Sequence, residues 1–320
     1  MTSYPTFGEL VIEDPAFEGL IAPEAKLERI ARGLTWSEGP VWSRRESALY
    51  FSDIPRNAIM RWTEADGLRI WMQPSGYTGV QWYSDEPGSN ALTFDSEGRM
   101  TMCEHGDRRI SRIESSGGKM TLADCYEGKR LNSPNDLVYG PDGSLYFTDP
   151  AYGLPERYED KVNRELPFCG LFRLSLPDRK LTLLTDEFEN PNGLAFSPDG
   201  KTLYVGHSNR QTPVIKAFPV KADGTIGTGE VHCDFSDLVG KLPGIVDGFK
   251  VDAQGNIFSS GPGGVWVFSS AGKRLGRIET GERTANVAWG DDGSTLYVTM
   301  HSYLCRIRTK TRAAVMPGPA

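Results

Sequence analysis

Cysteine and histidine are scarce in this 320-residue chain, with five of the first and four of the second. Cys103, Cys125, Cys169, Cys233 and Cys305 are odd in number, widely spread and free of any C-x-x-C. Such a set predicts reduced, buried and unreactive thiols rather than a disulfide frame. No apolar run approaches the roughly 18 residues of a spanning helix, so no membrane partner is expected. The opening MTSYPTFGELVIEDP has neither a basic nor an apolar leader region, which makes a cytoplasmic location the expectation. Clusters of Lys and Arg are also missing, and a net charge of -7 with a pI near 5.3 argues against nucleic acid as a partner. There is no G-x-S-x-G elbow, no H-E-x-x-H and no Walker loop. The Gly261-Pro-Gly-Gly264 run follows a β-hairpin instead of opening a helix.

What is present is one hairpin, copied. Residues 133–150 read SPNDLVYGPDGSLYFTDP: Asn135 and Asp136 open a β-prone run, Pro141-Asp142-Gly143 has turn chemistry, and Leu145 to Thr148 form a second run that closes on Asp149. Residues 191–207, PNGLAFSPDGKTLYVGH, repeat it with Asn192 at the head. Further copies start at Glu38, Asn90, Asp247 and, by alignment of the Asp292-Gly293 turn, Ala285. The six heads are spaced by roughly 40 to 57 residues, the repeat of a four-stranded propeller blade. More β-prone runs follow most hairpins, and the last copy is short by one. The all-β expectation is therefore a six-bladed β-propeller at 27–310, its last blade completed by the N-terminal strand Leu27 to Arg32. An arm at 1–26 lies on its surface and a tail runs over 311–320. Two β-sandwich domains would not explain one motif recurring through the whole chain.

Topology then locates the chemistry. Heads and hairpin ends share one face of the disc, and the PDG turns lie on the other. The long segments at 73–89, 151–169 and 233–246 fall on the head face with Trp82, Tyr83, Tyr152 and Tyr158, and predict a rim or lid over a pocket. Heads converging on an axis are ordinarily small or apolar, yet five of these are Glu38, Asn90, Asn135, Asn192 and Asp247. Burying two carboxylates and three amides together is costly unless something satisfies them, and a divalent cation would. All the donors are oxygens, which suits Ca²⁺, or Mg²⁺ or Mn²⁺ with more water, and Zn²⁺ is a further candidate. Whether such a metal only plugs the channel or works in catalysis stays open on these grounds. His105, His207 and His301 fall at or beyond hairpin ends on the head face, and His105 and His301 are candidate substrate contacts.

At these heads the chain resembles the senescence-marker-protein/gluconolactonase/luciferin-regenerating-enzyme family. The resemblance spans about 27–308 and rests on Glu38-Gly39-Pro40-Val41-Trp42, Asn135-Asp136, Asn192-Gly193-Leu194-Ala195-Phe196-Ser197, and Asp247-Gly248-Phe249 followed by Asp252-Ala253-Gln254-Gly255. It implies a six-bladed fold, a catalytic divalent metal on Glu38, Asn135, Asn192 and Asp247, and hydrolysis of a lactone, with sugar lactones prominent. Where animal members carry an Arg two residues before the first metal Asn, this chain has Ser133. In the lactonase reading Asn90, Asp136 and the two histidines contact sugar hydroxyls. Only Glu38 and Asp247 among the four ligands can accept a proton, because amides cannot. Assigning Asp247 as general base follows the family's usual role for the Asp-Gly motif. A phosphotriesterase or arylesterase of the same fold, or a non-catalytic binding scaffold with a structural metal, are the alternatives.

Overall fold

Gly143 and Gly200 hold φ of 77° and 69° at the hairpin turns, the left-handed conformation that glycine adopts at least cost. Each such turn returns the chain into a buried second strand, and each hairpin extends into a four-stranded antiparallel sheet. The computed structural model describes residues 4–319, so residues 1–3 of the expected arm and residue 320 of the tail lie outside the described residues. It is a six-bladed β-propeller with no α-helix among the described residues, and the three short 3₁₀ turns it has are too small to cross a membrane.

Blades one to four begin at Ser37–Ser43, Ser89–Phe94, Leu137–Tyr139 and Pro191–Phe196, and end at Gly67–Met72, Lys119–Ala123, Leu181–Thr185 and Glu230–Asp234. Blade five runs from Phe249–Val251 to Arg274–Glu279. Blade six takes Thr284–Gly290, Thr295–Met300 and Tyr303–Arg308 from the end of the chain and closes on Leu27–Arg32, as its missing repeat strand predicts. First strands of neighbouring blades touch one another all the way round, which places them innermost. Six apolar clusters make the core, and each fills one seam between adjacent blades. Sheets that are apolar on both faces can be covered only by one another, and the ring is how every face finds a partner.

The segment before Leu27 does more than lie on the surface. Glu9–Ile12 pairs with Arg274–Glu279 as a fifth strand of blade five, and Thr6–Phe7 pairs with Leu27 and Glu28 as a fifth strand of blade six. Between them Asp14 caps a 3₁₀ turn, and Phe17, Leu20 and Ile21 are buried in the seam of blades five and six. Both sheet edges are thereby shielded. The tail is integrated as well: Ala314 N donates to Val251 O and Thr311 Oγ1 to Asp252 Oδ2, so the chain ends beneath the channel. Four of the five free cysteines are buried as expected. Cys125 departs from that reading: it is exposed, because it lies on a two-stranded ribbon outside the blades with Lys129–Arg130.

Phe17 provides a test of the arm. Its ring is fully buried, so Phe17→Ala should cost about 3–5 kcal/mol, as large-to-small core substitutions of phenylalanine do. Denaturant unfolding would read the loss, and a cost under about 1 kcal/mol would mean that the arm only rests on the disc.

Candidate active site at the head of the channel

The ladder is broken at the heads in blade after blade. Pairing register slips between Glu38 and Val41, Ser89 and Leu92, Pro191 and Leu194, and Thr284 and Asn286. A bulge of this kind upsets the strict alternation of a strand, and it lets consecutive side chains address the axis. Close approach of the blades is the second requirement. A Cβ on Gly39 would stand 2.2 Å from Asn90 O, and one on Gly193 would stand 2.4 Å from Asp247 O. At these two junctions the missing Cβ lets one blade's backbone pack directly against the next.

The amides that meet there form a directional relay. Asn90 Nδ2 donates to Asn135 Oδ1 at 2.6 Å, Asn135 Nδ2 to Asn192 Oδ1 at 2.7 Å, and Asn192 Nδ2 to Ser208 Oγ at 2.9 Å; Ser208 Oγ then donates to Val246 O. The relay fixes which end of each amide is oxygen. Asn135 and Asn192 each spend one Oδ1 lone pair on it and keep the other. Glu38 is 3 % exposed, and among the described residues both hydrogen bonds to its carboxylate, from Gly39 N and from Asn286 Nδ2 at 3.1 Å, fall on Oε2. Asp247 is the more open of the two carboxylates, half-buried at the mouth of the channel.

Carboxylates crowded in so dry a place resist ionisation. Burial raises the Glu38 carboxyl to about 7, with Asp136 adding to the rise and the Gly39 amide, Asn286 and Lys250 opposing it. Asp247 is pushed up by burial and then by Glu38, and Asp136 by burial. A cation among them would reverse that pressure. Glu38, Asn135, Asn192 and Asp247 together offer only oxygens, two of them charged and two polarised by the relay, so the set fits a hard divalent cation. Among the described residues no group of three or more His, Cys, Asp and Glu is placed to hold a metal, and this ring contains two.

The other candidates separate by depth. Asn90 has both amide hydrogens engaged, on Asn135 and on His105 Nε2 at 3.2 Å, which leaves its carbonyl oxygen as an acceptor. His105 is fully buried, its Nδ1 bonded to Glu86 O at 3.2 Å, and burial lowers it to about 4, so it is neutral and reaches the site only through Asn90. His301 is exposed on the turn after Met300, edge-on to Trp36. Asp136 points the other way along the axis and lines the cavity beneath the ring. Ser133 is buried and ties the chain at Pro150 O and Gly153 N, a structural use of the position.

The rim is built from the predicted loops: Arg157 Nη2 bonds Glu86 Oε1 at 2.9 Å, Tyr77 stacks on Tyr83, and Tyr152 meets Tyr158 edge-on. A cavity of about 460 Å³ lies below the ring, between Gly39, Leu137, Leu194 and Trp289 above and the tail residues Ala314 to Gly318 below. Sequence reasoning missed Ser208, Asn286, Lys250 and the closeness of Tyr152 to Asp247. Asn286 had a signal. The residues after the heads are Gly39, Ala91, Asp136, Gly193, Gly248 and Asn286, and two polar ones among four small ones mark the positions that reach inward.

Glu38 generates a test by pH. Its folded-state value near 7 lies above the ordinary 4.5, so its stabilisation is complete below about pH 4.5 and is lost as pH climbs through about 7. Cation-free protein should therefore melt lower at about pH 8 than at about pH 5, and Glu38→Gln should flatten that fall. An undiminished fall in the variant would assign it to other groups.

Comparison with known proteins places the fold and the family. Residues 36–302 match the model of the SMP-30/gluconolactonase/LRE-like region. A gluconolactonase of Zymomonas mobilis subsp. mobilis is 36% identical over 313 residues, covering 96% of this chain and 87% of the relative, and a pentonolactonase of Haloferax volcanii is 28% identical over 272 residues, covering 82% and 80%. A solved gluconolactonase of Xanthomonas campestris superposes with a TM-score of 0.82 at 30% identity, covering 97% of this chain and 98% of that one. With a family model matched over most of its length and a relative 36% identical across 96% of it, this chain belongs to the SMP-30/gluconolactonase/LRE-like family.

Proposed function

We propose that the protein is a lactonase that opens a sugar lactone of the gluconolactone type with the help of a divalent cation, Ca²⁺ first among candidates. The observation that carries this reading is the convergence of Glu38, Asn135, Asn192 and Asp247 at one mouth of the channel, with two amide oxygens held in place by the relay. The names of the Zymomonas and Haloferax relatives support the substrate class. Held by those four residues, the cation supplies positive charge that polarises the lactone carbonyl.

The chain's own residues do the remainder. Asp247, half-buried at the mouth, takes the proton of the attacking water, whereas Glu38 is shut in and committed to Gly39 and Asn286. Asn90 accepts a hydrogen bond from a sugar hydroxyl through its one free oxygen, and His105 keeps that amide from turning. The Tyr152 phenol, which burial pushes up to about 12, stays protonated beside Asp247 and Asn192 and can donate to the substrate. The Arg157–Glu86 pair joins two rim loops and limits the water that reaches the mouth.

Three measurements test the reading. Protein stripped with EDTA should lose gluconolactone hydrolysis and regain it on addition of Ca²⁺, Mg²⁺, Mn²⁺ or Zn²⁺, and equal turnover before and after stripping would end the cation requirement. Asp247→Asn keeps an oxygen in place but removes the base, so kcat should fall by about 10²- to 10⁴-fold while calorimetry still detects cation binding. Near-wild-type kcat with normal binding would leave Asp247 as a ligand alone. Turnover on lactone set against aryl ester and phosphotriester measures the breadth of the site, and preference for either of the latter two would replace the substrate class.

A further inference from the structure

Beneath the ring the channel holds a second set of charges that the lactonase reading does not use. Asp136 is 3 % exposed; its Oδ1 accepts from Leu137 N at 2.8 Å, and its Oδ2 is buried with no partner among the described residues. Lys250 lines the same cavity, with Nζ 3.1 Å from Phe249 O and 3.5 Å from Asn286 Oδ1. Asn286 stands between the two levels. Its Nδ2 donates up to Glu38 and its Oδ1 accepts from Val287 N and faces the ammonium. Gly248 leaves the room for this amide, since a Cβ there would come within 1.9 Å of it. Val41, Leu137, Val251, Ala288 and Trp289 line the same cavity, so much of the wall that Asp136 and Lys250 share is apolar.

The charges balance in a telling way. Glu38, Asp136 and Asp247 are three carboxylates gathered about the axis, and Lys250 is the ammonium that shares the cavity of Asp136 and meets the Asn286 amide that donates to Glu38. One ammonium set against three carboxylates leaves the charge of a single divalent cation to be filled. We propose that Lys250 is a positioning residue of the cation site, a fixed ammonium that offsets Asp136 from below so that the ring above takes one divalent cation and binds it with moderate, reversible affinity. This rests on the reading of the ring as a cation site. The lysine thus does for the lower channel what the exchangeable ion does for the upper mouth, and it holds Asn286 against Glu38.

A charge cycle tests it, with Ca²⁺ as the probe. Lys250→Met should lower the melting temperature of cation-free protein and tighten Ca²⁺ binding by about tenfold, because one unit of negative charge is left uncancelled nearby. Asp136→Asn alone should weaken Ca²⁺ binding by a similar factor, and the double variant should return both readouts towards wild type. Lys250→Arg should keep both close to wild type. If Lys250→Met does not fold, the Asp136→Asn arm still decides, since unchanged Ca²⁺ affinity there overturns the proposal. So does a double variant no closer to wild type than Lys250→Met. Should wild-type protein bind no divalent cation at all, the lactonase mechanism fails, while the cation-free melting temperatures of the cycle still report whether Lys250 offsets Asp136.

Discussion

The pairing of Leu27–Arg32 with Tyr303–Arg308 is the interaction on which the rest of the molecule depends. It joins segments from opposite ends of the chain, strengthened by Arg306 Nε on Glu28 Oε2 at 2.7 Å and by the Arg29 guanidinium over the Tyr303 ring. Six blades whose faces are apolar on both sides leave two raw faces until the ring shuts, and closure covers both at once. The arm that precedes this strand, with Phe17 wedged between blades five and six, covers the neighbouring seam. A long-range pairing of this kind forms late, because the loop entropy of 270-odd residues has to be met before any contact rewards it.

Closure is also what makes the site. Asn90, Asn135 and Asn192 come from three blades, Glu38 and Asn286 from the two that flank the closing seam, and Asp247 from the fifth. None of these side chains is positioned by its own blade alone. Bulges at four of the heads aim their side chains, Gly39 and Gly193 let the next blade approach, and the relay running from Asn90 to Val246 O sets which atom of each amide faces the centre. A polar axis is expensive, and the chain meets most of that expense with hydrogen bonds between heads. What remains unpaid is charge, and it lies where an ion can supply it.

The channel has two ends with different characters. Above the ring lie the half-open Asp247, Tyr152 and the rim loops tied by Arg157 and Glu86. Below it lies a mostly apolar cavity of about 460 Å³, lined in part by the tail at Ala314 to Gly318. In the proposed lactonase it is polarity, and not the room of a cavity, that points to the upper mouth, because a lactone carbonyl and an attacking water need donors and a base, and the lower walls offer mostly carbon.

Much of this was legible in the chain. The copied hairpin, the head residues and the short last repeat determined the number of blades, the closing strand and the face of the disc on which the heads gather, because a strand's period and a turn's glycine are local properties. His105 shows where that stops: a hairpin end on the head face is a local fact, but whether its ring meets solvent or is buried behind Asn90 depends on how two blades and the segment around Glu86 pack. The arm was unreadable for the same reason, since Glu9–Ile12 has no repeat to match and becomes a strand only because blade five presents it an edge. Asn286 and Lys250 carry their chemistry on inner strands whose pattern says only that they are β. The sequence by itself determined which oxygens converge on the axis; the tertiary structure alone decided how deep each one sits and what neutralises it, because depth and field belong to the closed ring and to no single repeat.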